Sequence, residues 1–299
     1  MNTTLCSVIL IIAACLEQSP LVNDQFQGRS ANWGTKGIPH PRCATLKRKR
    51  TDEELGDELI YDRYWNGLYR LPKAVFEDLL RNVGDDLLKN FQKQVCASGA
   101  AVPPRTMLSM TMCYLGGGRM WDIVIMHHVS TTCFYDSVYD TIDAINANVA
   151  IPGIPFDNTI ELDKLAAGFK KASGGVFDGC VGAIDGLAIR IRCPRYVPNP
   201  NGYFNRKKFY SLNLQAVCDA NLVILYYSLK CAGATHDATA WDVSDLHRAI
   251  EEGKLPPGYW LVGDDAYPNS EHLSTPYPGR NLPSRRSNYN YYISRMRST

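Results

Sequence analysis

Apolar residues recur at helical spacing through the first half of the chain and at alternate positions through much of the second. Tyr61, Tyr64, Trp65 and Leu68, then Phe76, Leu79, Leu80 and Val83, each mark one face of a helix. Pro103-Pro104 interrupts the pattern. A further helix runs through Met107, Met110, Met112 and Leu115 until Gly116-Gly117-Gly118 ends it. Residues 119–128 form a short apolar helix. Val129-Ser130 is the next turn, with Ser130 as N-cap of a helix over 131–146 that aligns Val138, Ile142 and Ile145. Helix, short turn and helix have the outline of a helix-turn-helix. Asp136, Asp140 and Asp143 make the second helix acidic, which suits an ordinary helical subdomain better than a major groove.

Ala150-Ile151-Pro152-Gly153-Ile154-Pro155 marks a domain boundary. Beyond it a helix spans about 161–172, and then the period changes. Gly182-Ala183-Ile184-Asp185-Gly186-Leu187-Ala188-Ile189-Arg190-Ile191-Arg192 reads as a strand with an acid near its centre. In Phe209–Cys218, Tyr210, Leu212, Leu214 and Ala216 alternate with Ser211, Asn213 and Gln215. Asn221–Leu229 is a third strand after the turn Asp219-Ala220-Asn221. These predict three antiparallel strands, the first two joined by a polar excursion over 194–208. A helix over 237–251 and a strand at Leu261-Val262 follow. The class is α/β, organised as a lead-in (1–50), a helical domain (51–150) and a mixed-sheet domain (151–299).

Composition narrows the partners only slightly. A net charge of +2 over 299 residues gives no global field toward nucleic acid. After Glu271 the charges are all basic: Arg280, Arg285, Arg286, Arg295 and Arg297, which read either as a solvated end or as a surface for phosphates. The ten cysteines are scattered without a Cys-x-x-Cys pair, which argues against a zinc site of usual spacing and suits a reducing compartment. The apolar run Leu5–Leu16 is too short to span a bilayer and reads as a short helix rather than a signal peptide. No membrane association is expected. Residues 23–46 are a polar lead-in. Lys47-Arg48-Lys49-Arg50 is either a nuclear-import signal or the solvated start of a helix capped at Thr51.

The candidate chemistry is acidic. A buried strand carboxylate needs a neutralising partner, and a divalent cation is one. Asp185-Gly186 also suits a tight hairpin turn, and that strand alone leaves the two readings level. A second run of the same form, Tyr259–Pro268, delivers Asp264 at a strand's end. Two strands carrying acids to one edge is how distant sequence assembles a metal site.

The motifs Gly182-Ala183-Ile184-Asp185-Gly186, Asn205-Arg206-Lys207 with Ser211-Leu212-Asn213, Gly233-Ala234-Thr235-His236-Asp237 and Gly263-Asp264-Asp265-Ala266-Tyr267-Pro268 resemble, in order, the signatures of PIF/Harbinger-type DDE transposases and the nucleases derived from them. Tyr114–Gly118 and Val129-Ser130 are similar to that family's helical half. The resemblance implies a ribonuclease-H-like core and a two-metal phosphodiester nuclease using Mg2+ or Mn2+. Its first two acids carry over to Asp185 and Asp264. Its third is a Glu on a helix shortly after a segment like Tyr289–Arg297, a position beyond Thr299. Asp237 and Asp265 are the substitutes within the chain. Asp265 is disfavoured because neighbours along a strand face opposite ways, and Asp237 holds a different place in the family pattern. Weak metal binding and little or no strand cleavage are the expectation. Arg190, Arg192, Arg206, Lys207 and Lys208 are candidates for DNA-phosphate contacts or, equally, a solvated face. His236 is an accessory group near the metal or a ring bonded within a turn. DNA is the implied partner, with a Myb-like protein supplying terminal-repeat recognition and nuclear entry; the location is nuclear, with cytoplasm the alternative. A non-catalytic DNA- or protein-binding module is the second reading, and a small-phosphoester hydrolase the third.

Overall fold

The computed structural model describes residues 62–88 and 102–298. Contacts divide them into two compact units that meet in sequence between Ala150 and Ile151. The expectations for Leu5–Leu16, for residues 23–46, for Lys47–Arg50 with its cap at Thr51, and for Cys6, Cys15, Cys43 and Cys96 lie outside the described residues.

The first unit is helical: α1 (Asp62–Tyr69), α2 (Lys73–Leu88), α3 (Pro104–Leu115), α4 (Met120–His127) and α5 (Thr131–Asn148). Its core follows the apolar spacing. Trp65, Tyr69 and Phe76 pack as a cluster, with Trp65 edge-on to Phe76 at 5.3 Å. Phe134, Val138, Ile142 and Ile145 bury the inner face of α5. Arg105 grips Glu77 through two hydrogen bonds of 2.6 and 2.8 Å, tying α3 to α2 and holding the Glu77 carboxyl below its usual range. Leu115 is the last residue of α3 because Gly117 adopts φ 98°, a left-handed conformation that an L side chain resists. Ser130 caps α5 by accepting from the Cys133 amide at 3.1 Å, as the sequence pattern requires.

The second unit is a five-stranded mixed sheet with helices on it. Its elements are α6 (Thr159–Ala172), β1 (Cys180–Arg190), β2 (Ser211–Cys218), β3 (Ile224–Ala232), α7 (Asp237–Asp242), α8 (Asp245–Glu251), β4 (Trp260–Val262), β5 (Leu273–Ser274) and α9 (Ser284–Arg297). The strand order is β3-β2-β1-β4-β5. β1 pairs antiparallel with β2, and β2 with β3, whereas β1–β4 and β4–β5 are parallel. A ribonuclease-H-like arrangement has this form. One sheet face packs Val181, Ile184, Val217 and Leu261 against Trp241, Leu246 and Ile250 of α7 and α8. The other packs Cys180 and Val262 against Ile293 and Met296 of α9. Helix α6 serves both cores, Leu162 and Ala166 joining the first and Phe169 the second.

Several expectations need correction. β1 continues unbroken through Asp185-Gly186, so the hairpin-turn reading is wrong there: both residues are in the β2 ladder, opposite Ala216 and Gln215. The third strand starts at Ile224, not Asn221. The Asp219 carboxylate accepts from the amides of Asn221 and Val223 and holds that segment as a turn, with Leu222 at φ 63°. The helix over 237–251 is two helices, because Ser244 caps a new start by accepting from the His247 amide at 3.0 Å. The basic tail is the helix α9, docked through Ile293 and Met296. The six cysteines among the described residues are all free. No helix among them is long and apolar enough to cross a membrane.

His127 tests the first unit's core. It is fully buried, and neither ring nitrogen has a hydrogen-bond partner among the described residues. Burial, assisted by His128, pulls its pKa down from 6.5 to about 4. The unfolded chain therefore binds the proton first, and stability present above pH 6.5 drains as pH falls toward 4. That loss is about 3 kcal/mol at most for the single group. Urea unfolding of the wild type and of His127→Leu at pH 7 and pH 4.5 is expected to show the larger acid loss in the wild type.

Candidate functional site

Asp185 is set by β1 and Asp264 by the end of β4, and the parallel register relates them. Ala183 lies opposite Val262. Asp185 lies two residues beyond Ala183 on β1, and Asp264 two residues beyond Val262, the last residue of β4. Alternation along β1 puts Asp185 on the face of Ala183, the face that α9 covers further down, and Asp264 follows the end of the neighbouring strand. Adjacent strands lie about 4.8 Å apart, within the reach of two carboxylates around one ion. Each acid is locally braced. Asp185 Oδ1 accepts from the Gly186 amide at 2.8 Å, and Asp264 Oδ1 from the Ala266 amide at 3.0 Å. Asp185 is exposed and Asp264 half-buried.

Asp237 is on the other face. It opens α7 and lies over Gly186, where a Cβ would stand 2.5 Å from Asp237 Oδ1. That oxygen accepts from Asn213 Nδ2 at 3.0 Å and Gln215 Nε2 at 3.1 Å. Asn213 and Gln215 stand opposite Ala188 and Gly186 on β1, which fixes the face. Gln215 Oε1 in turn accepts from the Tyr267 hydroxyl. Burial, and the charges of Asp237, Asp185 and Asp264, push the Tyr267 phenol far above its usual range. Asp265 follows Asp264 into the turn and is exposed.

The basic residues gather mainly on the Asp237 side. Arg206 and Lys207 line a cleft of 260 Å³ with Gly186, Asn213, His236 and Asp237. Arg190 shares the face of Gly186 and Ala188 by alternation, and its guanidinium stacks on Phe209 at 4.2 Å. Lys208 takes φ 62° in the turn that leads to Phe209, and Arg192 is exposed beyond the end of β1. Asn205 shapes this loop, its Oδ1 accepting from the amides of Lys207 and Phe209. His236 lines the same cleft and caps α7, its Nδ1 accepting from the Ala238 amide at 3.3 Å. The structure thus brings Arg206, Lys207, His236 and Asp237 to one cleft, with Arg190 on the same face of β1 and Asp185 on the opposite face.

Residues 184–299 match the family model described as DDE superfamily endonuclease. The "Protein ALP1-like" of Arabidopsis thaliana is 29% identical over 132 residues, 40% of this chain and 32% of that protein. The "Putative nuclease HARBI1" of Xenopus laevis is 23% identical over 255 residues, 84% of this chain and 67% of that protein. No solved structure matches the chain significantly. Residues 184–299 are thus similar to a DDE superfamily endonuclease domain, and the longer match is to a protein named a putative nuclease. The match with the Arabidopsis relative spans about a third of that protein's length.

Chemistry in the DDE superfamily depends on a divalent metal. Among the described residues no cluster of three or more His, Cys, Asp or Glu side chains is close enough to hold an ion. The donor set of Asp185 and Asp264 nevertheless fits a magnesium-type ion, which takes one or two carboxylates and completes its shell with water. Sequence reasoning singled out those acids but gave no role to Gln215 and Tyr267. The available signal was the alternation of Ser211, Asn213 and Gln215 along a strand buried on both faces, since buried polar side chains need partners. Gly186→Ala is expected to push Asp237 off its two amides and cost about 1–3 kcal/mol in unfolding free energy. Gly202→Ala, where the added carbon meets only the end of the Asn199 side chain at 3.4 Å, should cost much less in the same urea titration.

Proposed function

We propose that this chain is a metal-dependent DNA phosphodiesterase of the Harbinger type. The observation that supports the reading is the parallel β1–β4 pairing, whose last pair, Ala183 with Val262, precedes Asp185 and Asp264 by two residues each. A bound Mg2+ or Mn2+ supplies charge stabilisation at the phosphoryl oxygens and an ionised water as nucleophile. The two aspartates hold that ion, while the amides of Gly186 and Ala266 fix one oxygen of each and leave the other for coordination. Arg190, Arg192, Arg206, Lys207 and Lys208 contact backbone phosphates away from the reacting bond, giving salt-sensitive binding with little sequence preference. DNA is then the principal partner. A nuclear location and a Myb-like partner protein belong to the same reading, through the family resemblance and Lys47–Arg50.

A second reading, a DNA-binding module without cleavage, is favoured by one observation: no set of three ligands is assembled among the described residues. Incubation of the chain with supercoiled and linear duplex DNA in Mg2+ or Mn2+ separates the two. Nicking lost by at least a hundredfold in Asp185→Asn and Asp264→Asn supports the nuclease; salt-dependent binding with no nicking in either metal selects the module. In either case, joint replacement of Arg206 and Lys207 by Ala should lower the slope of log affinity against log salt by about 2.

A further inference from the structure

Asp237 is the acid in this domain whose surroundings are most fully specified, and none of them is a second acid. Its Oδ1 touches three things at once. It lies against the backbone of Gly186, the residue after Asp185, in a space that only glycine leaves open. It accepts from Asn213 Nδ2, which also donates to the Thr235 carbonyl at 3.0 Å. It accepts from Gln215 Nε2, and Oε1 of the same side chain accepts from the Tyr267 hydroxyl. Tyr267 closes the turn that begins at Asp264, its amide donating to the Asp264 carbonyl at 3.3 Å and the Ala266 amide to Asp264 Oδ1. A continuous path therefore runs from Asp237 to both strand acids, to Asp185 through packing on Gly186 and to Asp264 through Gln215 and Tyr267.

We infer that Asp237 is a positioning residue, which fixes the Asp185 strand and the Asp264 turn from the opposite sheet face rather than serving as a third metal ligand. Geometry separates the two roles. A ligand shared with Asp185 must reach its face, whereas Asp237 points at Gly186 and the polar side chains of β2, which stand on the reverse. Its Oδ1 is already engaged with two amide donors. Outer partners of this kind hold first ligands in place, and their loss typically weakens metal affinity by about 10–100-fold. The inference rests on Asp185 and Asp264 binding the ion, as proposed above.

The test uses the full chain and two readouts. The first is Mn2+ affinity by calorimetry for the wild type, Asp237→Ala, Asp237→Asn, Gln215→Leu and Asp264→Asn. A positioning role predicts about 10–100-fold weaker binding in Asp237→Ala and Gln215→Leu. It also predicts substantial rescue in Asp237→Asn, whose amide oxygen still accepts from Asn213 and Gln215. The second readout is amide hydrogen exchange, which needs no metal. Asp237→Ala should speed exchange at Ala266 and Tyr267 and leave α5 unchanged. Loss of Mn2+ binding in Asp237→Asn as complete as in Asp264→Asn would overturn the inference and make Asp237 a ligand. Unchanged exchange at Ala266 and Tyr267 in Asp237→Ala would also overturn it. Absence of Mn2+ binding by the wild type, with the exchange response intact, would remove the metal reading alone and leave the positioning role standing.

Discussion

Parallel pairing of β1 with β4 is the constraint on which the second unit depends. Parallel neighbours cannot be joined by a tight turn, so the chain must cross over between them. Here the crossover carries β2, β3, α7 and α8, and it returns with the sheet's outer half complete. The pairing sets Val262 beside Ala183 and Gly263 against Ile184, so that Asp264 leaves β4 one residue later. A slip of one residue would send Asp264 to the wrong side and bury it among Trp241, Leu246 and Tyr267. Leu261 and Val262, both fully buried and each on its own core, penalise that slip. Apolar packing thus enforces the placement of the acids, with no bond between them.

The reverse face shows how a buried polar cluster is satisfied. Asn213, Gln215, Asp237 and Tyr267 have more donors and acceptors than the apolar core beneath them can answer, and they answer one another. Each link needs a neighbour of a particular shape. Gly186 makes room for the carboxylate, Gly233 leaves room for the backbone and hydroxyl of Ser211, and Asn205 bonds that hydroxyl through its Nδ2 at 2.8 Å. Removing one partner leaves others buried without a bond, which costs more than the bond itself contributed. The cluster thus fixes Gly186, the residue that follows Asp185 on β1.

Much of this was legible in the sequence where a single physical rule governs. Period-2 alternation located β1 and β2, helical spacing located the helices of the first unit, and Ser130 announced its cap. The carboxylates Asp185 and Asp264 stood out because strand acids are costly without a partner. What escaped was set by tertiary contact. β5 is two residues long and exists through its pairing with β4. α9 carries almost no apolar periodicity, yet Ile293 and Met296 bury it against Phe169 and Val262. The break at Ser244 depends on a cap that competes with continuing the helix. The face assignment of Asp237 needed strand register, which a list of motifs does not contain.

The separation of acids from cations also bears on how a nucleic acid would lie on the domain. No acid occurs between Asp185 and Asp219, while Arg190, Arg192, Arg195, Arg206, Lys207 and Lys208 all do. A strand rises about 3.3 Å per residue, so Arg190 stands roughly 17 Å beyond Asp185 along β1. At that distance a cation neither competes with a metal for the reacting phosphate nor perturbs the carboxylates. In the proposed function such a cation would hold the polymer while the acids act elsewhere, and the alternation of β1 keeps Arg190 and Asp185 on opposite faces.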